Sequence, residues 1–393
     1  MKSSKNIILV MAFTLMTGCG SGRSGGSGGG VAPPNNMLSI TVNGSLCSTG
    51  SYFNKPCVSV TVCTSGSSAC QTISDILLDT GSSGLRIFKQ ALNVSLAQAV
   101  VGTGLIAECT QFGDGSSDWG PVQTASVILG NEPPVQVPIQ VIDAAFAAAP
   151  ATCQNADQNP TAAGFNGILG IGVFSQDCGL ACASSANNGI YYSCDGSNCV
   201  GAAVALSMQV QNPVSLLPRD NNGVLVQLPI VSPGGSPFVN GNLVIGIGTQ
   251  SNNVPSGATA YAADQNGEIT TILNGISYSG IIDSGSNGLF FTPPSASLLP
   301  DCPSPYSGWF CPSSTTTLSA TNTGASGSAH GAVSFQIGNF GNLIGSTNNV
   351  FADVGGPASG QVDWGLPFFL GRNVYVGIDG KESSLGIGPY WGY

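Results

Sequence analysis

The chain repeats itself once at long range, and this constrains it more than any other feature. Leu77-Leu78-Asp79-Thr80-Gly81-Ser82-Ser83-Gly84-Leu85 returns 204 residues later as Ile281-Ile282-Asp283-Ser284-Gly285-Ser286-Asn287-Gly288-Leu289. Each copy is an apolar run ending on an Asp and followed by a Gly-containing turn. That is the pattern of a buried strand that stops abruptly and presents a carboxylate among backbone amides. A period of about half of the 393 residues predicts two related halves, each large enough to bury its own core. A second echo points the same way: Gly167-Ile168-Leu169-Gly170-Ile171-Gly172 trails the first copy, and Phe368-Phe369-Leu370-Gly371 trails the second.

The secondary structure expected of these halves is all-β. Charged residues make up only 7% of the chain, against 56 Gly and 24 Pro, which suits short strands and turns better than long charged helices. Residues 38–42, 58–62, 124–129, 135–142, 223–230 and 242–247 are β-branched runs bounded by turn residues and read as strands. The better helix candidates are 203–210 and 295–299, both short. Nine Lys and Arg against a net charge of -10 supply no basic surface for phosphates, so no nucleic-acid partner is expected.

The N-terminus reads as an export signal. Lys2 and Lys5 precede an apolar run over 7–16 that is too short to remain as a membrane span. It ends in Leu15-Met16-Thr17-Gly18-Cys19, which resembles a bacterial lipobox. The expectation is a signal peptide over 1–18, lipidation of Cys19, and a Gly/Ser tether over 19–36 that stands the folded part off the membrane. Gly20 lacks the acidic signal for inner-membrane retention, so the expected location is the outer membrane. Setting Cys19 aside leaves twelve of the thirteen Cys, an even number that favours disulfides in an exported chain. The dense group Cys178, Cys182, Cys194 and Cys199 lacks the tight spacing of a zinc knuckle and is also expected to form bridges.

The repeat, in its order and spacing, resembles the pepsin family of aspartic proteases over nearly the whole exported chain. Asp79-Thr80-Gly81 and Asp283-Ser284-Gly285 match that family's two active-site loops. Ile168-Leu169-Gly170 and Phe369-Leu370-Gly371 match its hydrophobic-hydrophobic-Gly segments, which pass behind each loop. Phe112-Gly113-Asp114-Gly115-Ser116 is similar to the hairpin flap that closes over substrate. The resemblance implies a bilobal fold with pseudo-twofold β lobes over 37–213 and 214–393 and a cleft between them. It implies Asp79 and Asp283 as the catalytic pair, with Thr80, Gly81, Ser82, Ser284, Gly285 and Ser286 in support. Thr80 and Ser284 would tie the two loops together, and Ser82 and Ser286 would hydrogen-bond the outer carboxylate oxygens. The implied activity is endopeptidase cleavage of a peptide or protein substrate by a monomer, with no metal and no organic cofactor.

The chemistry needs a pair for a physical reason: two adjacent carboxyls cannot both ionise, so they share a proton and supply an acid and a base together. Two departures from the family pattern stand out. Phe112 replaces the usual flap Tyr, and Arg86 replaces the Trp that commonly hydrogen-bonds that Tyr. Either Arg86 packs on the Phe112 ring in place of the lost hydrogen bond, or catalysis is impaired or altered; the alternative function is that of a non-catalytic binding protein built on the same fold at the cell surface. No basic prosegment separates Cys19 from the first strand. A serine-hydrolase reading fails, because Gly25-Gly26-Ser27-Gly28-Gly29 lies in the tether and not on a strand-to-helix turn, and the single His330 removes most Ser-His and Cys-His schemes.

Overall fold

The computed structural model describes residues 34–48, 50, 52–153 and 155–393. The expected signal peptide, Cys19 and most of the tether lie outside these described residues. Within them the chain is all-β, with strands in sheets of seventeen, seven and two members. No helix among the described residues is long and apolar enough to cross a membrane.

The expected strands are present, with shifted ends. The first runs Met37–Val42, the second Pro56–Cys63, and Val135–Ile142 keeps its bounds, while the expected 124–129 strand is the end of a longer one, Ser117–Ile128. Gly223–Gln227 stops short of Ile230, because Pro229 has no amide for the ladder. The two expected helices do not form. Residues 295–299 make one turn, in which Leu298 and Leu299 N–H donate to the Ser295 carbonyl, and Pro300 ends it. Residues 203–210 contain only the 3-10 turn Leu206–Met208. Such short segments fix several dihedrals for very few hydrogen bonds, so nothing propagates them. The α-helices that do form are Pro160–Ala163, Leu180–Ser184, Phe340–Ile344 and Leu366–Phe369, and two of these are held by Asn caps, Asn159 and Asn339.

All twelve Cys of the described residues are paired, as 47–57, 63–70, 109–153, 178–182, 194–199 and 302–311. The dense group thus forms two local bridges. Cys109–Cys153 spans 44 residues and pins the Gly104–Gln111 strand to a distant loop.

Both copies of the repeat are wired identically. In the first, Cys70–Asp79 runs parallel to Gly167–Ile171, which in turn is antiparallel to Ser83–Phe88, and Ser83–Phe88 is parallel to Val135–Ile142. In the second, Ile276–Ile282 runs parallel to Gln361–Trp364, which is antiparallel to Leu289–Phe291, and Leu289–Phe291 is parallel to Gly355–Pro357. In this wiring the strand leading to each Asp and the strand leaving it sandwich a third strand from much later in the chain. Leu78, Leu85 and Leu169 around the first Asp, and Ile282, Leu289 and Trp364 around the second, are buried. Burial at about 1.5–3 kcal/mol for each large apolar side chain holds these triplets in place.

This registration corrects one expectation. Phe368-Phe369-Leu370-Gly371 does not pass behind the second loop. Leu77 and Ile281 are equivalent in the repeat, and they pair with Ile168 and Asp363 respectively. The strand behind the second loop is therefore Gln361–Trp364, with Gly365 after it, and Phe368 and Phe369 fall in the Leu366–Phe369 helix that follows. The misleading feature was the apolar run itself. Asp363 breaks the apolar signature in the true segment, and the neighbouring helix supplies a better match.

Candidate active site

Two turns meet at the ends of the Cys70–Asp79 and Ile276–Ile282 strands. Thr80 Oγ1 donates to the Ile282 carbonyl at 2.8 Å and accepts from the Ser284 N–H at 2.9 Å. In return Ser284 Oγ donates to the Leu78 carbonyl at 2.7 Å and accepts from the Thr80 N–H at 3.1 Å. Each hydroxyl uses its single proton and a lone pair on the opposite strand end, and both side chains are buried. The repeat is thereby locked to itself by four reciprocal hydrogen bonds.

The lock brings the two carboxylates together. Asp79 Oδ1 accepts from the Gly81 N–H at 2.7 Å, and Oδ2 accepts from the Ser82 hydroxyl. Asp283 Oδ1 accepts from the Gly285 N–H at 2.8 Å, and Oδ2 accepts from the Ser286 hydroxyl at 2.8 Å. A β-carbon on Gly81 would lie 2.6 Å from Asp283 Cγ, and one on Gly285 would lie 2.8 Å from Asp79 Oδ1. Glycine is required at both positions because each faces the other half's carboxyl at a spacing that leaves no room for a side chain. Burial, the charge of Asp283 and a hydrogen bond with it push the Asp79 carboxyl well above the ordinary carboxylate range. Asp79 therefore keeps a proton under conditions in which an isolated Asp has lost it.

The hairpin Gly104–Gln111 and Ser117–Ile128 turns at 112–116. Its tip is tight: the Phe112 N–H donates to the Ser116 carbonyl at 3.0 Å, Ser116 donates to Asp114 Oδ1, and Gly115 takes a φ of 87°. The Phe112 ring and Tyr52 belong to one apolar cluster with Leu77, Phe88 and Phe165. Tyr52, which nothing in the sequence singled out, donates from its hydroxyl to the Gly285 carbonyl at 3.0 Å. Burial, then the charges of Asp283, Asp79, Asp114 and Asp363, push its phenol far up. A neutral phenol thus stands where the carboxylates and the hairpin tip converge.

Arg86 is not stacked on Phe112. Its guanidinium is 1% exposed and is spent on the neighbouring strands: Nη2 donates to Glu108 Oε1 at 2.8 Å and to Asp177 Oδ2 at 3.1 Å. Nη1 donates to the Ser83 carbonyl at 2.9 Å, and Nε to Thr110 Oγ1 at 3.1 Å. Burial opposes ionisation of Glu108, but Arg86 and hydrogen bonds from Asp177 and Thr110 hold it below its usual range. Asp177 goes the other way, raised by burial and by Glu108, and Tyr191 donates to its Oδ1 at 2.7 Å. One cation thus ties the strand leaving the first Asp turn to Glu108 and Thr110, close to the hairpin tip, and to Asp177. A cleft of about 580 Å³ opens beside it, with Thr80, Ser82, Arg86, Thr110, Phe174 and Trp391 among its walls.

Sequence reasoning missed Tyr52, the partners of Arg86, and Asp363. Asp363 lies behind the second loop in register with Ile281, and its Oδ1 is sealed from solvent without a hydrogen-bond partner among the described residues. The available signal was a lone Asp between Val362 and Trp364-Gly365, in a segment that otherwise reads as apolar.

The model of a family described as "Protein of unknown function (DUF3443)" matches residues 32–393. No curated protein matches the chain.

Proposed function

We propose that this chain, which belongs to that family of unknown function, is an aspartic endopeptidase whose water is activated by Asp79 and Asp283. The observation that carries the reading is the reciprocal lock of Thr80 and Ser284, which seats each carboxyl against the other half's glycine. A binding protein has no use for two carboxyls held face to face, since their repulsion costs stability.

In the proposed reaction Asp79 carries the shared proton and Asp283 is the base. Asp283 takes a proton from a water whose oxygen bonds to the scissile carbonyl carbon, and Asp79 gives its proton to the carbonyl oxygen. The product is a neutral gem-diol. It collapses as a diol hydroxyl returns its proton to Asp79, Asp283 delivers its proton to the amide nitrogen, and the C–N bond breaks. Substrate lies in the cleft that runs past Thr80 to Ser83, next to Asp79, and along Glu108 to Gln111 of the hairpin, in a bilobal arrangement with the lobes over 37–213 and 214–393. Lipidation of Cys19 places the enzyme on the cell envelope, at the outer membrane.

Activity depends on one proton per pair, so it is high in acid and falls as pH rises through the raised Asp79 value. The test is digestion of a denatured protein at about pH 3 to 7, read by mass spectrometry, with Asp79→Asn and Asp283→Asn as controls. Each variant is expected to lose at least about 10³-fold in turnover, and the double variant to be little worse, because the two act as a unit. Fragments that are the same for wild type and variants, or no fragments at any pH, would leave a non-catalytic binding protein as the better reading.

A further inference from the structure

The two Asp turns match in the repeat, yet they are held by different parts of the molecule. Ser83 and Asn287 are equivalent positions, and so are Arg86 and Phe290. In the first turn the Ser83 carbonyl accepts from Arg86 Nη1 at 2.9 Å, a donor on the same outgoing strand. Phe290 has no donor to offer, and the Asn287 carbonyl accepts instead from Asn54 Nδ2 at 2.8 Å. Asn54 stands 233 residues earlier, in the first half.

Its neighbours make the same crossing. Tyr52 donates to the Gly285 carbonyl at 3.0 Å, so the carbonyls on either side of Ser286 are both taken by one short segment. Asn54 spends every polar atom of its side chain: Nδ2 also donates to the Phe351 carbonyl at 2.9 Å, and Oδ1 accepts from the Phe351 N–H at 2.7 Å. It is fully buried at a φ of 53°, a left-handed conformation that Asn adopts more readily than most residues. Between the two, Phe53 packs its ring against Trp309, Phe340 and Phe351 at centroid distances of 5.2, 5.5 and 6.1 Å. The far end of the segment is anchored in the first half. Lys55 Nζ donates to Asp75 Oδ1 at 2.8 Å, on the strand that leads to Asp79, and to the Gly164 carbonyl at 2.7 Å, and the Cys47–Cys57 bridge closes just beyond it.

Resting on the aspartic-protease reading, we infer that Tyr52 and Asn54 are positioning residues: they hold the second Asp turn from the first half, in place of the Arg86 cation with which the first turn holds itself. Ser286 is the residue their grip fixes. Its hydroxyl donates to Asp283 Oδ2 at 2.8 Å, and the Gly285 N–H donates to Asp283 Oδ1 at 2.8 Å. Both donors that orient this carboxyl therefore belong to residues at or between the two pinned carbonyls. The lock of Thr80 and Ser284 sets where the turns meet, and the segment from Tyr52 to Lys55 sets how Asp283 is turned within it. Such placement matters, because a misplacement of about 1 Å costs on the order of a hundredfold in rate.

The experiment compares Tyr52→Phe, which removes one hydroxyl and keeps the ring, with Asn54→Gly, which removes the side chain and suits the left-handed backbone. Both are made in the full chain. Two quantities are measured: amide hydrogen exchange by mass spectrometry, and kcat and KM on a fluorogenic peptide copied from a cleavage site in the denatured-protein digest. Amides over 284–290 are expected to exchange roughly tenfold faster in Tyr52→Phe, the size of one lost hydrogen bond, and faster still in Asn54→Gly. The Ser83–Phe88 strand, held by Arg86, should exchange as in wild type. In parallel kcat should fall roughly tenfold in Tyr52→Phe and further in Asn54→Gly, with KM unchanged. Unchanged exchange over 284–290, or an equal rise along the whole chain, would overturn the inference, and so would faster local exchange with a wild-type kcat. If Asn54→Gly does not fold, Tyr52→Phe decides alone. A wild-type protein that cleaves nothing, with exchange over 284–290 raised in the variants, would reject the protease reading and leave the hold on the second turn standing.

Discussion

Replacing Asp118 by Asn tests how burial governs this fold. Asp118 lies on the Ser117–Ile128 strand opposite Thr110 and is 0% exposed, and neither carboxylate oxygen has a hydrogen-bond partner among the described residues. Burial, opposed by Arg86 and reinforced by Asp157, Glu108 and Asp114, pushes its pKa from 3.8 up to about 8. The folded state therefore holds this proton more tightly than the unfolded chain does. The stability it contributes is complete below about pH 4 and is lost as pH rises through about 8. At about 1.4 kcal/mol per pH unit over that window, the loss reaches on the order of 5 kcal/mol. That is comparable to the whole stability of many domains, about 5–15 kcal/mol. Asn cannot ionise, so its stability should lack this decline. Urea unfolding at about pH 4, 6 and 8, followed by the fluorescence of the adjacent buried Trp119, gives both curves. The two proteins are expected to agree within about 1 kcal/mol in acid, with Asp118→Asn ahead by several kcal/mol at about pH 8. A difference that stays constant across the window would refute the reasoning, because it would mean that Asp118 does not titrate there.

Two further outcomes follow from the same physics. Arg86→Met removes the only cation paired with Glu108 and Asp177 among the described residues, so it should destabilise by about 3–5 kcal/mol near neutral pH and by less in acid, where the stranded carboxyls protonate; a cost below about 1 kcal/mol in urea unfolding near neutral pH would contradict the clamp. Cys19→Ser should leave an unprocessed precursor that takes up no labelled palmitate, and continued labelling would remove the lipid anchor from the proposal.

What the sequence determined by itself is the part written in local chemistry. An apolar run, an Asp and a Gly turn read as a strand end that presents a carboxylate, and their recurrence at 283 predicted the second such strand end. The all-β class followed for the same reason, since β-branched runs between Gly and Pro turns hardly form anything else. The twelve paired Cys were legible as a set, and their partners were not, because connectivity depends on which strands lie side by side. What only the tertiary structure decided is where distant strands come to rest. Which segment lies behind the second turn is a matter of register, and register depends on how Ile281 and Phe290 pack against the strand between them. That packing put Asp363 where an apolar residue was expected. It also turned Arg86 away from Phe112 toward Glu108 and Asp177, because a buried guanidinium gains more from two carboxylates than from an aromatic face. Tyr52 joined the site for a similar reason: a phenol is an ordinary loop residue until the fold lays it against the Gly285 carbonyl, 233 residues away.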